Sequence, residues 1–575
     1  MKKGVLFIVI LFLFSPLIAH KITPPVIHKP FDEPAITQPR YIPLQPPSGL
    51  EIVNPAEFGR SDGVILAWPG WGNEIIGDIA FEVAQDYKVF MVVANDYYET
   101  VAAAYLSSVG VNMANVSFIH DSTMNNSGMW IRDYGPFCIH DDGKLGIDDF
   151  VWSGNYGIDL IPYTIADTFN LPLYHSNVIH HGGNHISDGN GMGFFSTNIF
   201  NHNTSYTHTQ IKQEFKNFFG IDSMVVFAPM NGDGTGHVDM FCKLLNDTLL
   251  IVGEYETPGA SYPGDYDLLN NLAAYLGTLT NIDGRKFHIE RIPMPAYYYG
   301  GPAGTINYTY TNSLIINNKV LVPVYGFDMD AAALQVYADL MPDHEIIGID
   351  SEFIIQYWGA VHCITSELFS NNPLIVLHHA IDTLIAGVAP QIKFRLNPKF
   401  AVSEGSVFYK LGSEIFFTEV TAELNNGIWS ASLPAMSENF SYYIEGSSVS
   451  GSYNFETTLP ENAPWETFPV LVENVAVDNE SISATFCLSN HPNPFNPLTT
   501  ISFNISYPGK VELSIYNSKG QKVKNLLNEP KESGTYSIVW NGRDEKGQGV
   551  ESGIYFIRLA TEKGHTTIKR MVLLR

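Results

Sequence analysis

The fold class predicted for this 575-residue chain is an α/β body followed by two all-β sandwiches. Three observations predict it. Between residues 46 and 380, apolar runs of strand length alternate with stretches of helical spacing. From Pro390 the helical spacing stops, and short period-2 runs punctuated by Gly and Asn take over. Over residues 485–575 period-2 alternation recurs between Gly, Asn and Asp turns, the pattern of a second small sandwich.

The elements follow in chain order. Lys2 and Lys3 precede an unbroken apolar run, Val5–Phe14, and a small residue, Ala19, offers a cut site. Residues 1–19 therefore read as a secretory signal peptide. The run is too short to span a bilayer, and no later stretch approaches the ~18 apolar residues a spanning helix needs, so no transmembrane segment is expected. Residues 20–45 are Pro-rich and read as a linker or pro-segment. Within 46–380, strands are expected at Val64–Trp68, Val89–Val93, Leu249–Gly253, Ser313–Ile316 and Lys319–Pro323, and helices at Tyr262–Leu276 and Asp330–Met341. Residues 390–460, ending in the alternating Phe440–Glu445, read as an immunoglobulin-like sandwich. Residues 461–484, with Pro464 and Pro469, read as a linker before the last domain at 485–575.

Composition narrows the function. With 45% hydrophobic and 16% charged residues, the chain buries large cores. Its 32 basic and 59 acidic residues leave a formal charge of -27, which repels phosphate backbones and argues against nucleic acid as a partner. Residues 501–575 hold 12 Lys+Arg and 7 Asp+Glu, a net of +5, so the first 500 carry -32. An acidic body suits a cationic substrate, although a solvated acidic surface gives the same count. The four cysteines, Cys138, Cys242, Cys363 and Cys487, are too sparse for a disulfide scaffold. Pairing of Cys138 with Cys242 stays open, as does a chemically used thiol.

Four segments concentrate polar side chains in apolar context: Trp130-Ile131-Arg132-Asp133-Tyr134-Gly135-Pro136, His180-His181-Gly182-Gly183-Asn184-His185, Gly236-His237-Val238-Asp239-Met240 and Gly359-Ala360-Val361-His362-Cys363-Ile364-Thr365. As a strand, Gly236–Leu244 would place His237 and Asp239 on one face, where a base and a carboxylate can serve one site. Each segment alone has a plain reading: a turn aspartate, a Gly-rich loop, a buried His–Asp pair, a core cysteine.

Together, in this order and spacing, the four resemble the guanidino-group-modifying superfamily, in its branch of agmatine deiminases and Porphyromonas-type peptidylarginine deiminases. The resemblance covers about residues 50–375. It implies a five-bladed pseudo-symmetric α/β propeller and a hydrolase acting on the C–N bonds of linear amidines. It implies Cys363 as nucleophile, His237 as general acid/base, Asp133 and Asp239 as carboxylates gripping the guanidinium, Asn312 as an active-site asparagine with Asn307 as the competing position, and Trp130 as a wall on the substrate stem. Guanidinium is planar, charged and forked, so paired carboxylates match it, and thiolate is nucleophile enough for its central carbon. Two carboxylates nearby should also keep Cys363 protonated until a bound cation cancels them. No metal or organic cofactor is implied.

The last ~85 residues, with Asn493-Pro494-Phe495-Asn496-Pro497, Trp540-Asn541-Gly542-Arg543-Asp544, Gly553-Ile554-Tyr555-Phe556 and Lys569–Leu574, resemble the type A sorting domain of the type IX secretion system. That resemblance implies the secretion machinery as a partner and a secreted or cell-surface location.

The chain departs from the Porphyromonas-type pattern, in which an Arg-x-Arg pair holds a terminal carboxylate. The comparable stretch, Val151–Gly157, has no arginine, and none occurs between Arg132 and Arg285. Peptidyl-arginine is the expected substrate, with agmatine the alternative, since agmatine has no carboxylate. His181 stands where the agmatine enzymes carry Glu. Three rivals belong to other classes: a metal hydrolase using His180, His181, His185, His237 and Asp239; a cysteine protease using Cys363 and His237; and an inactive secreted binding protein or adhesin.

Overall fold

The computed structural model describes residues 45–573 except 127, 155–156, 401, 413, 474–487, 492–494, 496, 506–507, 518–520, 533, 551–552 and 562–565. The signal-peptide reading, most of the Pro-rich segment, Cys487 and parts of the sorting motifs lie outside these residues. The chain separates into two compact units, 1–474 and 475–575.

In the first unit, five small sheets repeat one pattern, in which a middle strand pairs antiparallel with one neighbour and parallel with another. Lys144–Val151 lies between Phe137–Asp141 and Leu173–Ile179. Met192–Ser196 lies between Ile186–Ser187 and Ser223–Phe227. Leu249–Glu254 lies between Cys242–Asn246 and His288–Pro293. Lys319–Val324 lies between Leu314–Ile316 and Glu345–Asp350. In each of these four, a helix bridges the two parallel strands: Ile161–Phe169, His208–Phe219, Asp265–Leu276 and Asp330–Leu340. The remaining sheet takes its antiparallel strand from far along the chain. Ser366–Phe369, just after Cys363, pairs with Ser61–Ala67, which runs parallel to Lys88–Val93.

Local sequence accounts for these elements. Leu250, Ile251 and Val252 are fully buried, as expected of a strand covered on both faces. Helix His208–Phe219 starts at a capping box, Thr207 with Gln210, and ends at Gly220 in the left-handed region. Its Ile211, Phe215, Phe218 and Phe219 form one buried stripe, each contributing about 1.5–3 kcal/mol by burial. Losing the Thr207 cap would cost about 1 kcal/mol. The helix expected from Tyr262 begins instead at Asp265, because Gly264, at φ 94°, turns the chain into it.

The last part of this unit, from Ile375 to Glu473, is all β. One sheet holds Ile375–His378, Gln391–Asn397, Ile428–Ser432 and Glu423–Asn425; the other is built on Phe440–Ser450 and Val402–Leu411. Phe394, Trp429, Tyr442, Ile444 and Phe455 share its core. Phe468–Glu473 forms a strand on Phe440–Tyr442, inside the stretch read as linker; Pro469 is accommodated there near the start of the strand. This sandwich is tied to the α/β part through Arg395 on Asp247, 3.0 Å, and the Asn397 amide on the Asp188 carbonyl, 3.1 Å.

The second unit pairs a three-stranded sheet, Leu488–His491, Thr499–Ile505 and Gly534–Trp540, with a four-stranded one, Lys522–Lys531, Gly509–Asn517, Gly553–Thr561 and Thr566–Leu573. Phe503, Leu513, Ile515, Trp540 and Ile557 fill its core, and the Trp540 indole donates to the Arg543 carbonyl. No helix among the described residues of either unit is long and apolar enough to cross a membrane.

Candidate active site

The four polar segments converge. Cys363 sits in a short 3₁₀ turn, His362–Ile364, immediately before the strand that pairs back to Ser61–Ala67. Its Sγ lies 3.2 Å from the Asn312 amide nitrogen, which donates to it, and 3.6 Å from Asp239 Oδ2. The Asn312 oxygen accepts from the backbone N–H groups of Ala360 and Cys363, so one side chain both shapes the Cys363 turn and contacts its sulfur. Asn307, the competing position, is buried with neither end of its amide hydrogen-bonded. The Trp130 ring lies against the same turn: a methyl on Gly359 would fall 2.5 Å from that ring and 3.1 Å from Sγ, so a side chain at 359 would separate wall from nucleophile.

Asp133 is on the short helix Ile131–Tyr134 and faces His237, with 3.5 Å between Oδ1 and Nδ1. Gly183 marks where the groups meet. A methyl there would lie 2.6 Å from His237 Nδ1, 3.1 Å from Asp239 Oδ2 and 3.2 Å from Asp133 Oδ1. Only glycine allows this approach, and its N–H donates to Asp133.

The segment Gly236–Leu244 is not the strand expected. Asp233 accepts the N–H groups of Thr235 and His237 and curls the chain, Val238–Met240 forms a 3₁₀ turn, and the strand starts at Cys242. His237 and Asp239 nevertheless reach one centre, by way of this turn and not by sharing a strand face.

Behind these groups lies a charged layer that sequence reading missed. Asp239 Oδ2 accepts from His362 Nδ1 at 2.7 Å, and His362 Nε2 lies 3.2 Å from Glu57. Glu57 is bound by Lys243, which also donates to the Ser313 carbonyl. Arg132 grips Glu367 with two bonds, 2.9 and 2.8 Å. The available signal was a charge inside an apolar run: Lys243 between Cys242 and Leu244, Glu367 before Leu368-Phe369.

The electrostatics follow from this layout. Burial, then the charges of Asp239 and Asp133, push the Cys363 thiol well above its ordinary range. Burial also raises Asp133, partly offset by His237. Burial alone would raise Asp239, but the hydrogen bond and charge of His362 outweigh it and hold the carboxyl below its usual value. Asp133 Oδ1 and Asp239 Oδ1 are both buried without a hydrogen-bond partner.

The fold divides the histidines proposed as metal ligands. His180 packs among Phe137, Phe150 and Phe215, and His185 stacks between Phe195 and Phe219. Asp133, His181 and His237 bring ligand-type atoms within 4.8 Å of one another, as do Glu57, His362 and Glu367. Asp133 contacts His237 at Nδ1 and His181 contacts it at Nε2, so the first set is gathered on that ring. The second is already neutralised by Lys243 and Arg132. Cys138 and Cys242 are both buried free thiols, so they are not paired with each other.

Known proteins share sequence and fold with this chain. The family described as Porphyromonas-type peptidyl-arginine deiminase matches residues 53–368, and the FlgD Ig-like domain matches residues 499–565. A provisionally named agmatine deiminase of Vibrio parahaemolyticus is 25% identical over 358 residues, 55% of this chain and 96% of that protein. The agmatine deiminase of Pseudomonas syringae pv. tomato is 23% identical, over 54% of this chain and 94% of its own length. A solved structure of another provisionally named agmatine deiminase, 20% identical, covers 56% of this chain and 96% of its own with a TM-score of 0.50, a likeness of fold.

Proposed function

Because the chain belongs to the Porphyromonas-type peptidyl-arginine deiminase family, and with it to the hydrolases of C–N bonds in linear amidines, we propose that it converts a guanidinium group to a ureido group and ammonia at Cys363. The observation that carries the reading is the pair of buried carboxylates, Asp133 and Asp239, each with one oxygen lacking a hydrogen-bond partner, with Asp239 Oδ2 3.6 Å from a cysteine sulfur already held by Asn312. A guanidinium supplies forked N–H donors for those oxygens and presents its carbon to Sγ.

The proposed reaction has two stages. His237 takes the Cys363 proton, the thiolate forms an S–C bond to the guanidinium carbon, and His237 returns the proton as the C–N bond breaks and ammonia leaves. Water then gives a proton to His237 and its oxygen bonds to the thiouronium carbon. The hydroxyl proton of that adduct passes to solvent as the C–S bond breaks and frees the neutral ureide, and His237 returns its proton to the thiolate, restoring the Cys363 thiol. No step calls on a metal or organic cofactor. The five repeated sheets are proposed to close as a five-bladed propeller around this centre.

The substrate is proposed to be arginine within a peptide. No arginine lies between Arg132 and Arg285, and Arg132 and Lys243 are spent on Glu367 and Glu57. The site therefore offers none of these cations to a terminal carboxylate. The leader-like N-terminus and sorting-like C-terminus support export by the type IX route and a peptide encountered outside the cell. Agmatine is the second reading, favoured by the curated relatives that carry that name. The test is ureido-product formation by the full chain and by Cys363→Ala on four substrates: a peptide with internal arginine, a peptide ending in arginine, free arginine and agmatine. Product that vanishes in the variant establishes the reaction, and the preferred substrate settles the choice. Silence on all four from folded protein overturns the deiminase reading in favour of a binding protein.

A further inference from the structure

Resting on the deiminase reading, we propose that His181 is a positioning residue, which accepts a hydrogen bond from His237 Nε2 and so keeps His237 Nδ1 as the nitrogen that exchanges protons with the reacting groups. The observation is a chain of side chains running away from the site. Asp133 Oδ1 lies 3.5 Å from His237 Nδ1, His237 Nε2 lies 3.1 Å from His181 Nδ1, and His181 Nε2 lies 2.8 Å from Ser153 Oγ.

The two faces of the His237 ring differ. Nδ1 points to the place where Asp133, Asp239 and Gly183 meet, and has no hydrogen-bond partner. Nε2 points to His181 alone. A base that takes a proton from the thiol or water needs its lone pair on the reaction side. His237 therefore has to hold its resting proton on Nε2, and that N–H needs an acceptor in a buried site.

His181 meets that need only as a neutral ring. Burial, followed by the nearby His237, His202 and His180, holds it well below the ordinary histidine range. A neutral imidazole carries one N–H and one lone pair. With the lone pair on Nδ1 facing His237, the N–H falls on Nε2 and is donated to Ser153 Oγ. The reverse tautomer would donate to His237 Nε2 and force the His237 proton onto Nδ1, where it would block the reaction side. The groups facing His237 are Asp133, Asp239, Asp233, His181, His180 and His202. Because His181 is neutral, the charge of a protonated His237 is balanced by the aspartates that also face the substrate. A carboxylate at position 181 would add a further balancing charge behind the ring.

The test has two arms on the full chain. In the first, 15N spectra of histidine-labelled protein read the His237 tautomer, assigned by its loss in His237→Gln. Nε2–H is expected, and Nδ1–H overturns the proposal whether or not any substrate turns over. In the second, kcat, KM and the pH profile are measured for His181→Leu and His181→Glu. His181→Leu should lose at least tenfold in kcat with KM within threefold. His181→Glu, an obligate acceptor, should recover most of that loss. A His181→Leu enzyme within threefold of wild type with an unmoved profile refutes the proposal, as does His181→Glu as impaired as His181→Leu. A wild-type chain with no turnover but an Nε2–H His237 would sink the deiminase reading and leave the tautomer assignment standing.

Discussion

A cationic reagent should find Cys363 far more reactive than a neutral one of the same shape. Sγ lies 3.6 Å from Asp239 Oδ2, a separation at which two negative charges repel by about 4 kcal/mol at an effective dielectric of 20. Asp133 adds to the same field. A bound amidinium that cancels half of the Asp239 share lowers the cost of the thiolate by about 2 kcal/mol, a rate gain of roughly 30-fold at fixed pH. The assay compares inactivation by 2-chloroacetamidine and 2-chloroacetamide at pH 7, each normalised to its rate with a free thiol. Cys138 and Cys242 are pushed up to about 12 by burial and stay silent. Asp239→Asn should shrink the ratio by removing the repulsion that the cation relieves. A normalised ratio near one, or one that Asp239→Asn leaves unchanged, would refute the electrostatic account of this thiol.

Three further outcomes are expected. Arg132→Met strands Glu367, which is almost wholly buried, and should cost about 3–5 kcal/mol in urea unfolding; adding Glu367→Leu should return much of it. His185, held down to about 3 by burial, takes up a proton only in the unfolded chain between pH 6.5 and 3. Its stability contribution is therefore whole above pH 6.5 and lost on acidification. His185→Phe, placed between Phe195 and Phe219, should gain about 2 kcal/mol over wild type at pH 5 relative to pH 8 in paired denaturation curves. Gly359→Ala should fold normally by circular dichroism yet lose about 100-fold in turnover, because the methyl collides with Trp130 and shifts the turn that carries Cys363.

The parts of the site legible in the sequence are those whose chemistry dictates residue type. A guanidinium needs carboxylates and a thiol, so Asp133, Asp239 and Cys363 stand out once His237 and the Gly-Gly-Asn loop appear in the same order. The supporting layer has no such constraint. Glu57 meets His362 across 305 positions of chain, and no local pattern links Pro55-Ala56-Glu57 to the nucleophile turn. Strand runs such as Leu249–Glu254 were legible because burial on both faces leaves a continuous apolar signature. The His237–Asp239 turn was not, because Asp233 folds back on two N–H groups that a strand reading assigns to a ladder. Phe468–Glu473 was hidden by its proline, which reads as a break in an interior strand and is tolerated near a strand end.

Under the proposed reaction, the charge layout favours turnover in one direction. The fixed cations nearest the site are committed, Arg132 to Glu367 and Lys243 to Glu57, and His362 spans Glu57 and Asp239. What faces the substrate is negative: two carboxylates, each with one buried oxygen lacking a partner. In the proposed reaction a guanidinium completes that arrangement and, by cancelling the field on Sγ, also activates Cys363 for attack. The product has neither property. A ureide is neutral, presents a carbonyl where the substrate presented an N–H fork, and turns an acceptor toward acceptors. The aspartates proposed to hold the substrate therefore disfavour the product, and in that reaction the thiol reprotonates as the cation is consumed. On this argument the ureido analogue should bind far more weakly than the guanidino compound, and Asp133→Asn should narrow the gap by weakening the substrate's grip more than the product's.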